Sequence, residues 1–178
     1  MNLAPALTAI GKRPLRGDDR RLATLWLVTA GVVVLHNVEE WLFDMTGWVA
    51  AHPELPGRAL HGDQAQFEVA LVIVTATVLA LAVTAVALRP RWSAEVLVYV
   101  AYAIAINGAS HALLSLVTWS PMPGVITGVI MLLPVGSLVI HVLPSLRWTV
   151  SSVIMMVIAA GGVAAGALAL ASVLTGVK

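Results

Sequence analysis

Read for polarity alone, the chain falls into five long apolar runs joined by short polar stretches. The runs occupy about residues 22–43, 67–88, 94–117, 122–143 and 148–174. Each is close to the ~20 residues a helix needs to cross a ~30 Å hydrocarbon core. None alternates polar with apolar positions, which excludes barrel strands. A backbone in lipid must pair its own polar groups, and a helix does so within one segment. The pattern therefore predicts an all-α integral membrane bundle of five transmembrane helices, a single domain over 22–174, preceded by a polar segment at 1–21.

Charge orients these spans. Residues 1–21 carry Lys12, Arg13, Arg16, Arg20 and Arg21, with Asp18 and Asp19 among them. The apolar run that follows is too long for the core of a signal peptide, and no A-x-A site follows it. The expectation is a basic cytoplasmic segment leading into an uncleaved first helix. With the N-terminus inside, the inner segments also hold Arg89, Arg91 and Arg147, and the outer ones only Arg58 and Lys178. That asymmetry predicts N-in and C-out. Trp26, Trp92 and Trp148 then fall at the inner boundary, and Trp41, Trp48 and Trp119 at the outer one, as two interfacial belts.

Composition narrows the class further. The 178 residues are 60% hydrophobic and only 11% charged, against about 25% charged in soluble domains. Neither a soluble globule nor a disordered chain fits. The net charge of +1 gives no footprint for nucleic acid. With no cysteine, disulfides, thiolate-bound zinc, iron–sulfur clusters and cysteine nucleophiles are excluded. The outer loop 44–66, with His52 and His61, reads as a connector with solvated histidines, or as a lid that brings them to the bundle mouth. Gly161, Gly162 and Gly166 in the fifth run permit close helix packing, within the chain or across a homodimer.

Against this apolar background the ionisable groups stand out, since each costs roughly 2.5–3.5 kcal/mol within a span. His36, Glu39 and Glu40 are spaced i, i+3, i+4 and share a helix face. Asn107 and His111 share another. At 1.5 Å rise per residue, His36, His111 and Thr127 all lie ~8–10 Å below the outer ends of their spans. Glu68 is near the outer mouth of the second. One level in the outer half can hold them all. His141 lies ~25 Å along the fourth helix from Gly124 and is excluded as an interfacial group. Glu95 reads as a helix-start carboxylate.

The run His36-Asn37-Val38-Glu39-Glu40 resembles the signature of the HXXEE family of small multi-pass bacterial membrane proteins. The N-x-x-x-H of Asn107 and His111, the P-G-x-x-T of Pro123, Gly124 and Thr127, and the later Pro134 match the same family, over roughly residues 30–135. The resemblance implies a bacterial membrane location and a His/Glu site, and supplies no reaction. The E-E-x-x-x-R pattern of the intramembrane proteases that process prenylated proteins is not met, because Asp44 stands in place of the arginine.

Three chemistries fit the cluster. His36, Glu39, Glu40 and His111 form a mixed nitrogen and oxygen donor set suited to zinc, iron or manganese, with Asn107, Thr127 and Glu68 in support. Asn107 would orient His111 or Glu40. A lipophilic substrate would reach such a metal from the outer leaflet, and His36, Glu39 and Glu40 would be the catalytic groups. Alternatively, carboxyls in a low-dielectric pocket serve metal-free acid–base chemistry on a lipid, as in an isomerase or an isoprenoid cyclase. Trp41 and Trp119 would then face a carbocation. In the third reading the same residues bind or relay a metal ion or proton in transport. A purely structural His–Glu–Asn hydrogen-bond network is the remaining alternative.

Overall fold

Local signals set where each helix starts and stops. The computed structural model of the chain describes residues 17–55, 63–143 and 166–176, and all regular structure among them is helical. Helix α1 spans Gly17–Leu42 and begins ahead of the apolar run, because Asp18 and Asp19 complement the positive end of the helix in its first turn. Asp44 then takes a left-handed conformation (φ 52°), and its carboxylate accepts the N–H of Gly47 to open the short α2, Met45–Ala51. Helix α3, Gln64–Leu88, starts earlier than its apolar run for a similar reason: the Asp63 carboxylate accepts the Gln66 N–H at 2.8 Å. Helix α4 is Ser93–Thr118. Helix α5, Val125–Val142, starts later than predicted because Gly124, at φ 87°, cannot belong to it.

Four helices among the described residues are long and apolar enough to cross a membrane: Asp18–Leu42, Gln64–Leu88, Ser93–Thr118 and Val125–Val142. Of the predicted fifth span, only α6, Gly166–Thr175, is described. It buries Ala167 and Ala171 against Ala70 of α3, and its Leu168 carbonyl accepts from Gln66 at 3.1 Å. Lys12, Arg13, Arg16, Arg58, His61, Arg147, Trp148, Gly161, Gly162 and Lys178 lie outside the described residues.

Helix α3 lies along α1 and α4 along α5, while α1 also meets α5. Leu25, Trp26 and Ala30 of α1 form the core of one end with Ala85, Leu97 and Val139. Val33, Ile104 and Leu132 fill the middle. Met45 and Val49 of α2 pack with Phe67 and Met122 across the other end, where Trp48 Nε1–H donates to Ser120 Oγ at 3.0 Å. The loop predicted as a connector thus contains a packed helix that covers this end. The outer surface is apolar, with Leu27, Val72, Val83 and Leu116 among the exposed side chains. Trp26 departs from the belt expected of it. It is fully buried, and its Nε1–H donates to the Ser93 carbonyl at 3.2 Å. Trp41, Trp92 and Trp119 are exposed.

Helices α4 and α5 approach through missing side chains. A Cβ on Gly108 would stand 2.6 Å from the Gly128 carbonyl oxygen, and one on Gly136 2.7 Å from that of Ala101. Within α5, Gly128–Leu132 forms a π-helical turn just before Pro134. Proline cannot donate to the carbonyl four residues back, and the wider turn absorbs that break in the ladder.

A Gly108→Ala substitution must push α4 and α5 apart, since backbone cannot yield, and is expected to cost about 1–3 kcal/mol. Gly31→Ala, where a Cβ meets nothing within 4 Å, should leave stability unchanged or raise it. Thermal unfolding of the two variants in detergent checks the contrast.

Candidate functional site

Near the α2-covered end, three side chains converge from two helices. His36 and Glu40 project from one face of α1, and His111 from α4. One donor atom of each lies within 4.8 Å of the other two. Both imidazoles are 2% exposed and Glu40 is 7% exposed. Glu40 Oε1 is 3.3 Å from His36 Nε2 and 3.1 Å from His111 Nε2. The two rings meet edge to face, with centroids 4.8 Å apart.

The surrounding hydrogen bonds assign the protons. His111 Nδ1 is 2.7 Å from the Pro123 carbonyl oxygen, which can only accept, so Nδ1 carries the proton. Glu39 accepts at both oxygens, from the N–H of Ile126 at 3.1 Å, the N–H of Thr127 at 2.7 Å and the Thr127 hydroxyl. With its hydrogen donated in a bond to Glu39, the Thr127 hydroxyl oxygen accepts from His36 Nδ1 at 2.9 Å. In their neutral forms both histidines therefore hold the proton on Nδ1 and turn a bare Nε2 toward Glu40. Among the described residues, Asn107 alone offers this trio a proton: its Nδ2 stands 2.9 Å from His36 Nε2.

Gly124 forms the wall of this site. Its positive φ belongs to a Pro-Gly turn. A Cβ there would be 2.8 Å from Cε1 of both His36 and His111. The turn also exposes the first N–H groups of α5, and the Glu39 carboxylate occupies that helix start, where negative charge is favoured.

The structure brings together His36, Glu39, Glu40, Asn107, His111 and Thr127. Within that group the parts differ from the sequence-based expectation. Glu39, expected as a ligand, has both oxygens engaged by α5. Asn107, expected to orient His111 or Glu40, is on His36. Glu68 is not part of the site. It accepts from Trp41 Nε1 at 3.2 Å and from Gln64 at 2.9 Å. His52 stacks on Trp48 and contacts its carbonyl oxygen at 2.7 Å through Nδ1. His141 is exposed at the far end of α5. Sequence reasoning missed the Pro123 carbonyl and the helix-capping role of Glu39. The first has no side-chain signal at all. The second was legible only once α5 was known to begin after Gly124.

Glu39→Gln leaves one acceptor oxygen for three donors. It is expected to cost about 1–3 kcal/mol, whereas Glu68→Gln, on a half-exposed carboxylate, should cost less. Thermal unfolding measures both. Gly124→Ala should displace both imidazoles, and the histidine ring ¹⁵N shifts report it; unchanged shifts would contradict the packing described.

No curated protein and no solved structure matches the chain. A family described as a protein of unknown function with HXXEE motif matches residues 26–139. That stretch is more than half of the chain and contains every residue of the site, from His36 in the motif itself to Thr127. The chain belongs to the HXXEE family.

Proposed function

We propose that the chain is a multi-pass membrane protein that holds one divalent metal ion, zinc, iron or manganese, between His36 Nε2, His111 Nε2 and a Glu40 oxygen, and that this centre acts on a lipophilic substrate. The observation that carries the reading is the protonation pattern. Both imidazoles spend their Nδ1–H on a fixed acceptor, a carbonyl for His111 and the Thr127–Glu39 relay for His36. Metal-binding histidines are held this way, with the outer nitrogen donating and the inner one bare. Two imidazoles and a carboxylate suit zinc or iron(II) and leave coordination positions open. A metal there would polarise a substrate oxygen or lower the pKa of a bound water. The Asn107 amide must leave His36 Nε2 to admit the ion. It sits on an exposed helix position, so it can turn away without unpacking the core.

The membrane placement rests on four long apolar helices with apolar outer faces. Arg20, Arg21, Arg89 and Arg91 lie at the end opposite the histidines, and among the described residues no arginine or lysine lies at the histidine end. That polarity supports a basic cytoplasmic segment at 1–21, an N-in orientation and a site in the outer half. The expected fifth crossing at 148–174 falls mostly outside the described residues; with it the proposal is a C-terminus on the outer side of a bacterial cytoplasmic membrane.

A second reading has one observation in its favour. Glu40 Oε1 stands between two imidazole nitrogens at 3.1 and 3.3 Å, and a proton held between Oε1 and one of them would turn that contact into a charge-assisted hydrogen bond. The centre would then be an acid–base pair working on a lipid.

Metal content separates the two. Protein purified without chelator or histidine tag should carry about one metal per chain by mass spectrometry. His36→Ala, His111→Ala and Glu40→Gln should abolish it, and His141→Ala should retain it. If no variant, and not the natural sequence either, takes up zinc, iron(II) or manganese on incubation, the metal reading is overturned and the shared proton takes its place.

A further inference from the structure

The end of the bundle away from the histidines holds a second polar feature. A cavity of about 230 Å³ opens between the start of α1, the end of α3 and the start of α4. Asp19, Leu22, Ala85, Arg89, Arg91 and Ser93 line it. Ser93 is 3% exposed. Its backbone is fully used, with N–H donating to the Pro90 carbonyl and C=O accepting from Trp26. Its hydroxyl meets no partner among the described residues. Arg89 and Arg91 are exposed, and neither forms an ion pair among the described residues. The start of α4 receives no side-chain cap, because Trp92 occupies that position. Glu95 is in the first turn of α4 but does not line the cavity, and the Tyr99 hydroxyl donates to it at 3.2 Å.

These groups share one preference. Two guanidiniums outweigh the single carboxylate of Asp19. The uncapped start of a 26-residue helix adds a positive dipole end. Ser93 lines the cavity, and its hydroxyl, unpartnered among the described residues, is free to donate to a ligand oxygen there. Guanidiniums, a hydroxyl and a helix start together recognise phosphate. The location fits as well. Residues 89–92 join two apolar helices, and in the membrane orientation proposed above that turn lies at the level of the inner-leaflet headgroups.

The geometry points to a phosphate seat in this cavity, which takes the phosphate of an anionic lipid headgroup, or free phosphate, on Arg89, Arg91, the Ser93 hydroxyl and the start of α4. Only the choice of a lipid source rests on the membrane reading; the seat is independent of the metal centre.

The test uses the full chain in detergent, titrated separately with short-chain phosphatidylglycerol, phosphatidylcholine and inorganic phosphate, with thermal stabilisation as the readout. Phosphatidylglycerol should stabilise and phosphatidylcholine should not. Ser93→Ala keeps both backbone hydrogen bonds and should weaken binding roughly tenfold. Arg89→Gln and Arg91→Gln should each weaken it about fivefold, and Arg20→Gln, at the same end but outside the cavity, far less. Stabilisation by inorganic phosphate with the same variant pattern would identify free phosphate as a ligand; its failure beside lipid binding would identify the headgroup. Equal losses in Arg20→Gln and Arg89→Gln with a silent Ser93→Ala would mean diffuse attraction to a charged surface and overturn the seat. So would no stabilisation by any of the three probes.

Discussion

Three electron-pair donors meet in the interior of this bundle with a single amide proton between them. Glu40 Oε1, His36 Nε2 and His111 Nε2 are all acceptors in the tautomers their neighbours impose. Bare lone pairs at 3.1–3.3 Å repel, and burial keeps bulk water from separating them, so a cation among them would relieve the repulsion. A metal ion and a proton are the two candidates, and the protein treats them differently. A shared proton needs one nitrogen and one oxygen, whereas a metal uses all three atoms. The symmetry of the arrangement, in which each histidine has its far nitrogen pinned, matches the demand of a metal more closely.

The adjacent glutamates illustrate how position on a helix divides labour. Glu39 and Glu40 are chemically identical and about 100° apart around α1. One points at the start of α5 and satisfies two backbone N–H groups and a hydroxyl. The other points at the histidines. Glu39 nevertheless reaches the centre indirectly, because the hydrogen bond it accepts from Thr127 leaves that hydroxyl oxygen to accept from His36. Neutralising Glu39 would free the Thr127 hydroxyl to reorient and would release the His36 tautomer. A residue outside the trio therefore sets the chemistry inside it.

Much of this was legible in the sequence, and the limits have physical causes. Runs of about 20 apolar residues identify the four long helices, since hydrophobicity of that length has few other uses. Their ends were misplaced wherever a single capping group decides them, as with Asp63 before α3 and the Pro123-Gly124 turn before α5. Helical spacing and depth predict that His36, Glu39, Glu40, Asn107, His111 and Thr127 share one level, because rise per residue is fixed, and the structure brings those six together. Their roles do not follow in the same way, because roles depend on which helix lies opposite. Spacing could not separate Glu39 from Glu40, nor assign Asn107 to His36 rather than His111. Distance along the helix alone places Trp26 at an interface. Its burial follows from the face it occupies, toward Ser93 and Leu97.

The face of α5 that lacks side chains ties the fold to the site. Gly136 sits on the backbone of Ala101 and Gly128 on that of Gly108, so α5 is held against α4 at backbone distance along this line. The same line continues to Gly124, whose nearest neighbours are the two imidazole rings. A helix kept away from α4 by ordinary side chains would carry Pro123 and Thr127 outward with it. The Pro123 carbonyl would then lose His111, and the Thr127 hydroxyl would lose His36. The spacing of the glycines also explains why the π turn sits where it does. Pro134 breaks the ladder between Gly128 and Gly136, and widening the helix there lets both glycines keep their contacts with α4. Close helix packing is thus the condition under which both histidines receive an acceptor for Nδ1, and with it the direction in which each presents its bare nitrogen.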